Sequence, residues 1–280
     1  MSLTRRALTR SAGAALLAPA GGRAEPAAPP LVLTGKPQQG GFLFGRSAPR
    51  AQVLADGVEV GRASASGLFV VGFDRDAPAL AEISVRTPQG LARQAVQIAP
   101  VAYDVQRIDG LPEDQVAPSD PALLERIRRE LALKTAALGS RDDSEDFAGG
   151  FIWPLEHAIR TSAFGPQRIL NGVPKTPHYG VDLAAPEGTP IRAPAPGLVV
   201  LAEPAMHFEG GLTLIDHGQG LVSMYLHQSA QQAAAGQRVA RGQMIGAVGR
   251  TGRATGPHLC WRMTWRGRHM DPSLMVGASA

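Results

Sequence analysis

Lysine is almost missing from this 280-residue chain: Lys36, Lys134 and Lys175 are the only three among 28 basic residues. Arginine therefore carries most of the positive charge behind the formal net value of +4. A GC-rich genome accounts for that usage, and the functional alternative is attraction to an anionic polymer. No basic run carries interleaved aromatics, which argues against nucleic acid as the partner. Aromatic residues make up 5%, with three Trp and three Tyr, too few for the exposed clusters of a carbohydrate binder. Cysteine occurs once, at Cys260, so no internal disulfide can form. In an oxidising compartment a lone thiol invites stray pairing unless it is buried or held by a metal. No run reaches the roughly 20 apolar residues of a membrane helix, so no integral membrane span is expected.

What is plentiful is punctuation. With 33 Gly and 23 Pro, the chain suits many turns and short strands better than long helices. Its length suggests two domains. The amino terminus reads as an address over residues 1–24: charged Thr4-Arg5-Arg6, the weakly apolar run Ser11 to Ala20, and small residues around a cleavage point after Ala24. The paired arginines resemble a twin-arginine export signal, so a periplasmic or extracellular location is expected.

Glu25 to Pro30 then reads as a Pro/Ala linker. Over residues 31–100, short apolar runs such as Leu31–Thr34, Ala51–Leu54, Gly67–Phe73 and Ala81–Val85 alternate with Gly-rich breaks. Asp56-Gly57 marks a tight hairpin. This spacing predicts a small β-sandwich. Residues 101–150 read as a helical linker. Ser119-Asp120-Pro121 caps a helix in which Leu123, Leu124, Ile127, Leu131 and Leu133 recur at roughly helical spacing, ending near Leu138-Gly139. Acidic Ser140 to Gly150 reads as an exposed linker at the domain boundary. Residues 151–275 return to short strands, predicting an antiparallel all-β unit. The fold class is therefore mainly β, with one linking helix.

Five of the seven histidines lie between His178 and His258. His178 and Asp182 sit four apart, about 13 Å in a straight strand, too far to share an ion unless the backbone bends at Gly180. Imidazole and carboxylate are good zinc ligands, although surface residues also explain such a pair. Strand alternation puts His258 and Cys260 on one face, where a thiolate could ligate a metal or a thiol could pack as a small buried hydrophobe. The same alternation turns Tyr225 and His227 one way.

Taken together, the segments from about Trp153 to Pro272 resemble the lysostaphin/LytM-like peptidases, the M23 metallopeptidases. The resemblance rests on His178-x-Gly180-x-Asp182, Gly188-Thr189-Pro190-Ile191, Asp216-His217-Gly218, Tyr225-x-His227 and Thr255-Gly256-Pro257-His258-Leu259, in that order. It implies a β-sheet peptidase domain with a groove, and a zinc ion held by His178 and Asp182. The family's third ligand is the second histidine of a His-x-His motif, a position occupied here by Cys260. It further implies that His227 and His258 do the catalytic work, with Tyr225 as a supporting hydrogen-bond partner, and that His217 is structural. The implied activity is hydrolysis of peptide cross-links in peptidoglycan. The alternative is a catalytically silent relative that binds wall and activates a separate amidase.

Overall fold

The computed structural model describes residues 28–280, so the expected export signal lies outside the described residues. The amino-terminal part forms two antiparallel sheets. One contains Val32–Lys36, Phe42–Arg46 and Leu68–Gly72, and the other Gln52–Ala55, Val58–Arg62, Leu80–Thr87 and Gly90–Gln97. Phe42, Phe69, Val53, Ile83 and Val85 are buried in their core. The hairpin at Asp56-Gly57 forms as expected, with φ values of 52° and 77° that a tight turn following the strand twist requires.

The carboxy-terminal part is built on one larger antiparallel sheet. Its order runs Arg238–Val239, Gly197–Met206, Gly210–Asp216, Leu221–Gln228, His258–Trp265, Gly180–Ala184 and Ile159–Ser162, with Arg268–Met270 paired to the His258 strand. Two registers matter for the site: Asp182 lies opposite Cys260 on one side, and Leu226 lies opposite Cys260 on the other. Cys260 thus sits on a central strand between two neighbours that both carry candidate site residues.

The helix Pro121–Leu138 forms where its cap predicts, with Asp120 accepting a 2.8 Å bond from the Leu123 backbone N–H. None of its residues is buried, so its apolar spacing does not mark a core face. No helix among the described residues is long and apolar enough to cross a membrane.

The segment 140–150 departs from the exposed linker that its composition suggests. Phe147 is fully buried and stacks on Phe44 with ring centroids 5.7 Å apart, and its N–H bonds the His217 carbonyl at 3.0 Å. Arg238 ties down Asp142 and Asp146. One inserted phenyl ring outweighs the acidic surroundings because burying an aromatic removes 150–250 Å² of surface from water. Through Phe147, Phe151, Trp265 and Met270 the apolar core runs without a break from the amino-terminal sheets into the carboxy-terminal one.

Residues 104–117 also do more than link. Val105–Ile108 pairs in parallel with Gln167–Leu170, and Asn171 exchanges bonds with both backbone groups of Leu111. This strand and the short helix Glu113–Val116 lie beside the rim of the site.

Candidate metal centre

The strand Gly180–Ala184 carries Asp182, and the chain just ahead of it carries His178, held by backbone bonds from the His178 N–H to Pro166 and from the Gly165 N–H to His178. Gly180 does not act by a left-handed bend. A side chain there would meet Arg262 Cγ at 2.7 Å and Cys260 Sγ at 3.0 Å, so glycine permits the close approach of the neighbouring strand.

His178, Asp182 and Cys260 converge. Their ligand-capable atoms lie within 4.8 Å of one another, and all three residues are buried. His178 Nε2 is 3.1 Å from Asp182 Oδ1 and 3.3 Å from Cys260 Sγ. Ser162 Oγ lies 3.1 Å from His178 Nδ1, an arrangement in which Nδ1–H donates outward and the Nε2 lone pair faces the other two groups. Asp182 Oδ1 is buried without a hydrogen-bond partner. A carboxylate oxygen left this way, beside an imidazole nitrogen and a sulfur, is costly unless a cation fills the gap. The donor set fits zinc, which accepts nitrogen, oxygen and thiolate ligands in tetrahedral sites.

Two further imidazoles, His227 and His258, line a cleft of about 290 Å³ that Asp182 lines as well. His258 Nδ1–H donates to the Gly256 carbonyl at 2.8 Å and His227 Nδ1–H to the Thr251 carbonyl at 2.9 Å, so each leaves Nε2 free. Their rings are 4.7 Å apart, and His258 Nε2 is 3.8 Å from Asp182 Oδ1. Burial, with His258 alongside, pushes the His227 imidazole down to about 3, keeping it neutral. Burial alone would raise the Asp182 carboxyl, but close His178, with Arg168 and His258, holds it below the usual carboxylate range. Burial, reinforced by Asp182, pushes the Cys260 thiol up to about 12.

Tyr225 is not among these groups, and the expected support for His227 is corrected. Its hydroxyl lies 2.7 Å from Ser223 Oγ, which in turn meets His217 Nε2 at 2.7 Å, and the ring is fully buried opposite Trp261. Alternation fails because His227 adopts φ 68°, a left-handed conformation that swings its side chain to the opposite side from Tyr225. His217 is fully buried between Ser223 and the Pro196 carbonyl, away from the cleft.

Three arginines were not legible as site residues. Arg168 Nη2 bonds Asp182 Oδ2 at 3.1 Å, Arg262 Nε points to Cys260 Sγ at 3.4 Å, and Arg253 lines the cleft. Only Arg262 left a signal, since alternation continues the His258–Cys260 face to it.

Comparison with known proteins agrees with this geometry. The family model for Peptidase family M23 matches residues 176–272, which hold all three converging donors and both imidazoles. A crystal structure from Pseudomonas aeruginosa, assigned to peptidase M23, is 32% identical, covers 87% of this chain and 96% of its own, and superposes with a TM-score of 0.66. This chain belongs to peptidase family M23. Among M23 relatives, the peptidoglycan DD-endopeptidase ShyA of Vibrio cholerae is 41% identical over 121 residues, 42% of this chain. The DD-carboxypeptidase/endopeptidase Mpg of Neisseria meningitidis is 39% identical over 127 residues, 44% of this chain. The shared part spans 28% and 29% of those two curated relatives, little more than a quarter of their length. In this M23 chain, Arg168 and the rim residues 105–112 lie outside the matched segment.

Proposed function

We propose that this chain is an exported, zinc-dependent endopeptidase that hydrolyses peptide cross-links of bacterial peptidoglycan. The observation that carries the reading is the convergence of three buried donors, one of which, Asp182, lines the same cleft as two Nε2-presenting imidazoles. Relatives named for peptidoglycan endopeptidase activity support it. In this reading residues 1–24 form an export signal resembling the twin-arginine type, 31–100 a sandwich module, 101–150 a helical linker and 151–275 the peptidase domain.

His178, Asp182 and Cys260 would hold the metal, with Cys260 as the thiolate and its charge offset by the Arg262 N–H. Zinc bound there would supply Lewis acidity toward the scissile carbonyl and the attacking water. His258 Nε2 takes the proton released as water adds to the carbonyl carbon, and passes it to the departing amine nitrogen as the C–N bond breaks. His227, held neutral with its Nδ1–H given to the Thr251 carbonyl, accepts a hydrogen bond at Nε2 from the attacking water and orients it. Thiolate donates more charge than imidazole, so acidification would be weaker here than with an imidazole in place of Cys260.

Cys260 itself favours a second reading, a catalytically silent wall-binding protein that activates a separate amidase. Zinc content and wall digestion, measured side by side on wild type, Cys260→Ser and Cys260→His, separate the two. The peptidase reading expects stoichiometric zinc and digestion in wild type, zinc lost in Cys260→Ser and kept in Cys260→His. Wild type without zinc or digestion, with both appearing in Cys260→His, sinks it in favour of the silent form.

A further inference from the structure

The cleft carries more positive charge than its known contacts use. A second cavity of about 290 Å³ adjoins the first, sharing Arg168, His227 and Arg253 with it and adding Lys134, Glu209 and Arg262 to the lining. Four cations therefore face two carboxylates around this joined space. Arg168 pairs with Asp182 at 3.1 Å, Lys134 contacts Glu209, and Arg262 points to Cys260 Sγ. Arg253 has no carboxylate partner among the described residues. One of its nitrogens donates to the Gln115 carbonyl at 3.1 Å, and its plane stacks on Phe208 with the guanidinium carbon 4.8 Å from the ring centroid.

That pair of contacts orients the guanidinium while leaving its other N–H groups unspent. Burial holds Arg253 below the usual guanidinium value, and the charges of Arg262 and Arg168 act in the same direction. Asp182 already counts against these cations, so a divalent cation bound with Cys260 as thiolate would add one net positive charge and the excess would persist. Half-buried like charges repel in a medium of lowered dielectric, and an arriving anion relieves that repulsion. A planar fork of N–H donors matches a carboxylate better than a point anion. Arg253 shares a cleft with His227 and His258, so an anion held by it lies beside both imidazoles.

We propose that Arg253, backed by Arg168, forms a subsite for a free carboxylate of the peptide, next to the scissile bond. The subsite sets specificity: a cross-link with that carboxylate free binds better than one with it amidated. This rests on the peptidase reading above, and the test separates the two. Two synthetic cross-linked peptides, identical except for a free or amidated carboxylate beside the scissile bond, are assayed with the zinc-loaded full chain for kcat and KM. Their affinities are measured in parallel by calorimetry. Wild type is expected to favour the free form by about tenfold or more, in KM and in binding, as a charge-assisted bond implies. The preference should fall towards unity in Arg253→Gln and recover in part in Arg253→Lys. Equal binding of the two peptides by wild type, or an unchanged preference in Arg253→Gln, overturns the subsite. Wild type that prefers the free form in binding but cuts neither peptide overturns the peptidase reading while leaving the subsite standing.

Discussion

His217 shows how one buried side chain couples the protein to pH. Enclosed between the Pro196 carbonyl and Ser223, its imidazole is pushed by burial from 6.5 down to about 4, so the folded protein holds it neutral. The unfolded chain binds that proton more readily, so stability is fully present above about pH 6.5 and is lost as pH falls towards about 4. Between about pH 7 and about pH 5 this one group costs roughly 2 kcal/mol. His217→Asn removes the titration, so urea unfolding of the variant should show a smaller loss over that range than wild type. Equal losses would mean the imidazole does not stay neutral inside. The residue-scale lesson from sequence is mixed. His178, Asp182, His227, His258 and Cys260 were readable as candidates because each is chemically unusual in its setting. The exclusion of Tyr225 was not readable, since it depends on one left-handed φ at His227.

At the scale of elements, burial and pattern part company. The helix Pro121–Leu138 has the clearer apolar spacing, yet Leu131 remains 53% exposed. The acidic segment 140–150 has no periodicity, yet it delivers Phe147 to the core at 0% exposure. Phe147→Ala should therefore cost about 3–5 kcal/mol in unfolding free energy. Leu131→Ala should stay within about 0.5 kcal/mol of wild type. Urea denaturation of the two variants checks this, and comparable losses would contradict the burial difference. The strands were easier to locate from sequence than their pairing, because alternation and Gly breaks are local while register is not. That Asp182 lies directly across from Cys260 is a property of the pairing alone.

For the whole molecule, the continuous core through Phe44, Phe147, Phe151, Trp265 and Met270 predicts mutual support between the two parts. A chain beginning at residue 151 should unfold at a lower temperature than the full chain and bind more of an apolar dye. An unchanged midpoint would show that the two parts fold independently. Sequence by itself determined the mainly β class, the hairpin at Asp56-Gly57, the capped helix and the membership in the M23 family, because these rest on local backbone preferences and on ordered motifs. It also put a cysteine where the resemblance leads one to expect a third histidine. Only the tertiary structure decided that His178, Asp182 and Cys260 meet, that a strand from residues 105–108 helps to wall the cleft, and that Arg168, Arg253 and Arg262 gather around it. Those residues are distant in the chain and carry no local signal of their meeting; sheet register and the packing of one apolar core bring them together.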